Sequence, residues 1–254
     1  MVEEQYDVDA LDLLINIVGL PIAKSSNSSI WPILCSDTKF KKVFMIGAYY
    51  GHKKPIDSNM YLEQFVNEIV PLVQNGFKMP NNKLITIKMH GLFCDAPAKS
   101  FVLCTKGHSG YYSCSKCIIK GSYINNRICF PLDTTESEVN GHLHEIIGFS
   151  GLRTDLAFKN NDYADNYQHS ISILNNIPQF GLISNVPLDY MHLVCLGVVK
   201  KMINLWISGP LPIQMLARDI KIISDKLTDY QKMTPNGFSR KPRSLYDYKH
   251  FKAT

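Results

Sequence analysis

Apolar residues in this chain cluster, alternate or recur every three to four positions, and each habit predicts a different element. Leu13 to Val18 reads as a short buried strand that Gly19-Leu20-Pro21 brings to an end. Ile30 to Leu34 and Val43 to Tyr49 follow as strands, the second rich in β-branched and aromatic residues. Three successive strands pair most economically as an antiparallel meander. From Ser58 to Phe77, Leu62, Phe65, Val66, Ile69, Val70 and Val73 recur at helical spacing, with Asp57 or Ser58 as N-cap and Gly76 near the C-terminal end. Leu84 to Asp95 returns to strand. The next segment, Ala96 to Leu103, carries Pro97 where a helix start tolerates it, so Asp95 falls at a strand-to-helix junction.

Between Cys104 and Pro187 the pattern breaks into Gly, Asn, Ser and Pro punctuation with most of the Cys and His residues, which predicts an inserted subdomain. A long apolar helix is expected over Tyr190 to Ser208, a second over Leu211 to Leu227, a loop over Thr228 to Ser239 and a last helix from near Leu245. Strands, helix, strand and then helices is the order of an α/β domain of the ribonuclease H-like kind, with a mixed sheet and flanking helices. The expected division is residues 1–103 as the first part of that core, 104–187 as the Cys/His-rich insertion and 188–254 as the helical remainder.

Composition narrows the class. An apolar share of 45% in 254 residues can bury a substantial core, and 19% charged residues is not the balance of a disordered chain. The net charge of +5 is unevenly spread: Glu3, Glu4, Asp7, Asp9 and Asp12 crowd the start, and the basic surplus lies beyond Val199. Such a surplus suits a polyanion, although solvated basic helices are the commoner use of it. The most apolar run noticed, Leu13 to Ala23, is interrupted by Asn16, Gly19 and Pro21, so no membrane segment is expected. Seven cysteines, including a C-x2-C pair, point to a reducing compartment and metal binding rather than a disulfide framework.

Phosphodiester chemistry by two metal ions needs carboxylates converging from strand and helix ends. Asp95 holds such a position, and it is equally suited to cap the helix at Ala96. Cys104-x3-His108-x5-Cys114-x2-Cys117, followed by Cys129, His142, His144 and His169, offers thiolates and imidazoles for a structural Zn²⁺, against the plainer reading of buried thiols and surface histidines. Lys24, Ser25, Ser26, Lys99, Lys200, Lys201, Arg240, Lys241 and Arg243 are candidate phosphate contacts; Trp31 and Trp206 read as core.

Five segments together carry a resemblance. INIVGLPIAKSSNSSIWPIL (Ile15 to Leu34), HGLFCDAPAKSFVL (His90 to Leu103), KGHSGYYSCSKC (Lys106 to Cys117), LRTD (Leu152 to Asp155) and VPLDYMHLVCLGVVK (Val186 to Lys200) resemble those of CACTA-type, or En/Spm-like, DDE transposases and host proteins derived from them. The resemblance implies a ribonuclease H-like fold, Mg²⁺-dependent cleavage and strand transfer on double-stranded DNA at transposon ends, nuclear action, and room for a homo-oligomer. It places the second catalytic aspartate on Asp95 and a D-x2-H motif on Asp189 and His192, residues that would otherwise read as an N-cap and a first-turn histidine. It also prefers His108, Cys114, Cys117 and His169 as zinc ligands, with Cys104 as the alternative.

The chain departs from that family at its first strand, where Val18 stands in place of the aspartate that precedes Gly-Leu-Pro. Asp12 is a poor substitute, since six residues of extended strand put it roughly 20 Å away at about 3.3 Å each. The family's third acid follows a motif resembling HFKAT (His250 to Thr254) and is expected beyond Thr254; the resemblance begins almost at once after Met1, so the family's N-terminal DNA-binding region is not expected within these residues. The expectation is a transposase-derived domain, catalytically defective or fragmentary, that keeps DNA binding. The alternatives are an active transposase in which Val18 is a sequence error, and a zinc-stabilised protein-interaction module.

Overall fold

The computed structural model describes residues 9–23, 28–40, 42–107, 109–130, 134–139, 142–147, 151–237 and 240–251, with backbone alone over 134–139 and 142–147. It divides into two units, Met1–Pro187 and Leu188–Thr254. The first is an α/β unit built on a mixed sheet.

Four strands make that sheet: β1 (Ala10–Ile17), β3 (Ser29–Asp37), β4 (Val43–Gly51) and β6 (Leu84–Cys94), helped by the two-residue β2 (Leu20–Pro21) and β5 (Phe77–Lys78). β1 pairs antiparallel with β3, and β3 antiparallel with β4, which is the expected meander. β6 then returns parallel to β1, after α1 (Ser58–Asn75) has crossed over. The strand order is therefore β4-β3-β1-β6.

β2 prolongs β1 rather than starting anew. Leu13 faces Asp37, Ile17 faces Ile33 and Leu20 faces Ile30, so one register runs through both pieces. The interruption falls at Val18 and Gly19, opposite Pro32 and Trp31. Pro32 has no N–H to give to the ladder, which accounts for the gap. Gly19 is needed for a different reason: a Cβ there would lie 2.6 Å from the Trp31 ring. Trp31 is in turn buried and meets Phe101 edge-on at 5.2 Å between centroids.

Buried Ile15 and Ile17 of β1, Ile87, Met89 and Leu92 of β6, and Leu62, Phe65, Val66 and Ile69 of α1 form one core, and this core continues into Phe158, Leu174, Ile177 and Val186. α1 begins and ends as its sequence predicts. The Asp57 side chain accepts from Met60 N, and Gly76 closes the helix at φ +72°. β6 ends at Cys94, and Asp95 caps the short α2 (Ala96–Val102). The stretch expected to be irregular holds the hairpins β7 (Ser122–Ile124) with β8 (Arg127–Cys129) and β9 (Thr134–Val139) with β10 (His142–Ile147), then α3 (Asp155–Lys159).

The second unit is helical. Tyr190–Val199 winds as a π-helix and continues as α4 (Lys200–Ser208); α5 (Ala217–Met233) and a 3₁₀ turn over Leu245–His250 follow. Two expectations need correction here. α5 starts later than Leu211, because Pro210 and Pro212 hold a turn, and it runs through the expected loop to Met233, supported by Lys221–Asp225 and Asp229–Lys232 pairs at 2.8 Å. Trp206 is 40% exposed rather than core, on a helix that buries none of its residues. The helix spanning Tyr190–Ser208 is long and apolar enough, by length and composition, to cross a membrane. Lys200 and Lys201 lie at the middle of this helix, where each charge in a bilayer costs about 2.5–3.5 kcal/mol.

The Gly19–Trp31 contact gives a direct test. Gly19→Ala is expected to destabilise the fold by about 1–3 kcal/mol through overpacking against the indole, measured as a lower urea midpoint at unchanged slope; Gly19→Ala combined with Trp31→Leu should recover part of that loss.

Candidate functional site

The site grows from the pairing of β1 with β6. Ile17 faces Cys94 in the parallel register, so the next residues along, Val18 and Asp95, emerge side by side at the same edge of the sheet. Asp12 faces Lys88 towards the far end of the pair. Asp95 Oδ1 accepts from Ala98 N at 2.8 Å, and among the described residues its other oxygen takes no protein donor. The capping role is thus met with half of the carboxylate. Its neighbour Cys94 is buried, and burial pushes that thiol up to about 12, which keeps it protonated beside Asp95. Val18 supplies no oxygen. A single carboxylate does not fit a two-metal centre.

The far edge of β6 is held by residues that the sequence did not single out. His90 is an extra residue in β6, since Met89 faces Leu13 and Gly91 faces Leu14. Asn185 closes this bulge from outside: its Nδ2 donates to His90 O at 3.0 Å, and Leu92 N donates to Asn185 O at 3.0 Å. The Asn185 segment is then tied to the C-x2-C loop. Lys116 Nζ donates to the carbonyls of Ile183 and Val186, the latter at 2.9 Å. Asp155 Oδ1 accepts from Ile183 N at 2.6 Å and Ser184 N at 3.0 Å.

Arg153 secures the loop from below. It is 5% exposed, its Nε donates to Cys114 O at 3.0 Å and its Nη2 to Tyr112 O at 3.1 Å. Its guanidinium lies over Tyr167 at 3.9 Å and over Tyr163 at 4.6 Å from the ring centroids. Together with Thr154, which caps α3 by accepting from Ala157 N, this gives the LRTD segment a positioning role. The Arg-x-Asp spacing was visible in sequence, but its partners lie about 30 to 40 residues away and were not.

Among the proposed zinc ligands, Cys114 and Cys117 come together. Burial works to raise Cys114, but a hydrogen bond with Cys117, the Lys116 and Cys117 backbone N–H groups and the Arg153 charge outweigh it and hold this thiol below its ordinary value. Cys117 is pushed up by burial and by that same neighbour. Such a pair is the usual two-thiolate half of a zinc site. His169 N donates to Cys104 O at 2.8 Å, yet the Cys104 thiol turns towards α1, 3.1 Å from Ser58 Oγ, from a backbone at φ +54°. His108 lies outside the described residues, and among those described no three His, Cys, Asp or Glu side chains converge on a metal position. All seven cysteines are free thiols.

In the second unit Asp189 and His192 do meet. Asp189 Oδ1 accepts from His192 N at 3.0 Å and Oδ2 lies 2.6 Å from His192 Nδ1. Burial would raise Asp189, but the His192 backbone and ring bonds prevail and hold the carboxyl below the usual range. The bonds anchor Nδ1 and turn the half-exposed ring outwards, leaving Nε2 for an external partner. Of the candidate phosphate contacts, Lys99 Nζ bonds Ser115 Oγ at 3.3 Å inside the loop. Lys200, Arg240, Lys241 and Arg243 line a common cavity in the second unit, Lys201 is exposed on α4, and Lys24, Ser25 and Ser26 lie outside the described residues.

No family model matches the chain, and neither the curated proteins nor the solved structures contain a match to it.

Two outcomes follow from this geometry. Asp155 has a folded-state pKa held below its ordinary value by the Ser184 and Ile183 bonds and Lys116, against the opposing effect of burial. Its contribution to stability is therefore complete above the unfolded value of about 3.9 and is lost as pH falls through the lower folded value. Asp155→Asn should flatten the stability profile in that acid window, read by urea unfolding at successive pH values. Arg153→Met should loosen the C-x2-C loop, seen as faster amide exchange at Cys114 to Cys117, while the exchange of β1 and β6 amides stays unchanged.

Proposed function

We propose that this chain is a transposase-derived, ribonuclease H-like domain that binds double-stranded DNA in the nucleus and has lost two-metal catalysis. The observation that carries the proposal is the parallel β1–β6 pairing, which sets Val18 beside Asp95 at the sheet edge. An antiparallel meander followed by a helix crossing to a strand parallel to the first is the order of a ribonuclease H-like core. In that arrangement the two central strand ends carry the metal-bridging acids, and here one of the two positions is apolar. The Asp189–His192 pair and the basic second unit add the DNA-facing part.

A structural Zn²⁺ belongs to the same proposal. Cys114 and Cys117 would supply its thiolates and His108 and His169 its imidazoles; four protein ligands leave no open position, so the ion would hold the loop rather than react. Through Lys116 and Asn185 that loop braces the strand ending at Asp95.

The decisive experiment restores the missing acid. Adjacent strands lie about 4.8 Å apart, so Val18→Asp places a second carboxylate within reach of one divalent cation shared with Asp95. Calorimetric Mn²⁺ binding is expected to appear in Val18→Asp, and to vanish in Val18→Asp combined with Asp95→Asn. No gain of binding in a folded Val18→Asp protein overturns the assignment of the two positions. Unmodified protein should bind duplex DNA with an affinity that falls steeply with salt. Bound zinc without any such DNA binding would instead identify a protein-interaction module, and nicking by the unmodified chain would overturn the claim of lost catalysis.

A further inference from the structure

The second unit contains a cavity of about 830 Å³. Lys200, Arg240, Lys241, Arg243, Lys249 and His250 line it, and no lining residue is acidic. Four of the five acids of this unit pair elsewhere, Asp225 with Lys221, Asp229 with Lys232, Asp219 with Arg218, and Asp189 with His192, and the fifth, Asp247, stands exposed on the 3₁₀ turn outside the lining. Cations therefore predominate in the lining, with Lys241, Arg243 and Lys249 together in it, while four of the unit's acids are engaged outside it. Clustered cations repel one another, and a polyanion within the cavity relieves that cost.

The cavity walls are fixed by bonds rather than left to chance. Tyr248 Oη donates to Asn204 Oδ1 at 2.6 Å, and Leu245 N to Ser224 Oγ at 3.2 Å, which pins the 3₁₀ turn to α4 and α5. Lys200 Nζ donates to Lys249 O at 3.2 Å, which ties α4 to that turn. The remaining lining is apolar, with Leu196, Leu227 and Pro242 beside the aromatic ring of Phe251.

Cations and an aromatic ring in one lining are the two components that hold single strands: one follows the phosphates, the other accepts the flat face of a base. The volume lies in the range of about 300–1,000 Å³ typical of pockets for small ligands. A duplex carries its phosphates on the outside of a wide cylinder with its bases stacked inside, and cannot enter such a space; a nucleotide or two of an unpaired strand can. We propose that this cavity binds single-stranded nucleic acid, with phosphates on Lys241, Arg243 and Lys249 and a base against Phe251. The proposal builds on the DNA-binding function above and adds which form of the polymer this cavity takes.

Fluorescence anisotropy on the full chain tests it, using a labelled oligothymidylate, a duplex of equal length and inorganic tripolyphosphate as a competitor. The single strand is expected to bind more tightly than the duplex. Lys241→Glu with Arg243→Glu should weaken it by about thirty-fold and reduce the salt slope by the share of about two phosphates. The same charge change outside the cavity, Lys226→Glu with Lys232→Glu, should cost less than about three-fold, as a loss of general electrostatic attraction. Phe251→Ala should weaken the oligonucleotide by about ten-fold and leave tripolyphosphate competition unchanged. Thermal melting checks each variant, and Lys241→Gln with Arg243→Gln replaces the charge reversal if that pair fails to fold.

Equal losses from the two charge-reversed pairs overturn the cavity as the site. Phe251→Ala without effect, alongside tight tripolyphosphate binding, overturns the nucleic acid in favour of a free polyphosphate. Duplex binding with no preference for the single strand defeats this inference alone, whereas absence of all nucleic-acid binding defeats the DNA-binding function as well.

Discussion

The parallel contact between β1 and β6 is the constraint on which the first unit depends. Parallel strands cannot be joined by a tight turn, so the chain must travel through α1 before it can place Leu84–Cys94 beside Ala10–Ile17. That crossing gives α1 an apolar face to cover and the sheet a buried side, and Ile15, Ile17, Met89 and Leu92 meet Leu62 and Val66 there. The same pairing decides the chemistry of the sheet edge. Whatever stands after Ile17 is brought beside whatever stands after Cys94, and here those residues are Val18 and Asp95. A strand slipped by one residue would turn its side chains to the opposite face, so the pairing of these two positions follows from core packing rather than from any attraction between them.

A second set of contacts holds that edge in place from the other side. The C-x2-C loop, Arg153, Lys116, Asp155 and Asn185 form a continuous run of hydrogen bonds that ends on the His90 bulge of β6. Buried donors and acceptors of this kind are costly to leave unpaired. The arrangement explains why a loop rich in metal-type ligands lies in the same unit as the strand that presents Asp95: the loop's contribution is support. Arg153 holds the loop itself, because a buried guanidinium needs several acceptors and aromatic faces at once, and Cys114, Tyr112, Tyr163 and Tyr167 provide them. The second unit handles charge differently. Four of its five acids are engaged in pairs outside the cavity lining, where Lys241 and Arg243 stand together.

Local pattern by itself determined much of this protein. The strand positions, the span of α1 with its Asp57 and Gly76 caps, and the place of Asp95 at a strand-to-helix junction all follow from short-range physics: side-chain periodicity, capping and the conformational freedom of glycine. The sequence also brought out Asp189 with His192 and Cys114 with Cys117, because partners three residues apart meet within one turn. Tertiary structure decided the rest. That Val18 is the neighbour of Asp95, that Arg153 and Asn185 are positioning residues, that the Cys104 thiol faces Ser58, and that Trp206 stays exposed depend on groups brought together from tens of residues apart. The reason is physical: periodicity records which face of an element is apolar, but it carries no record of which distant element covers that face or which distant donor meets a given carbonyl.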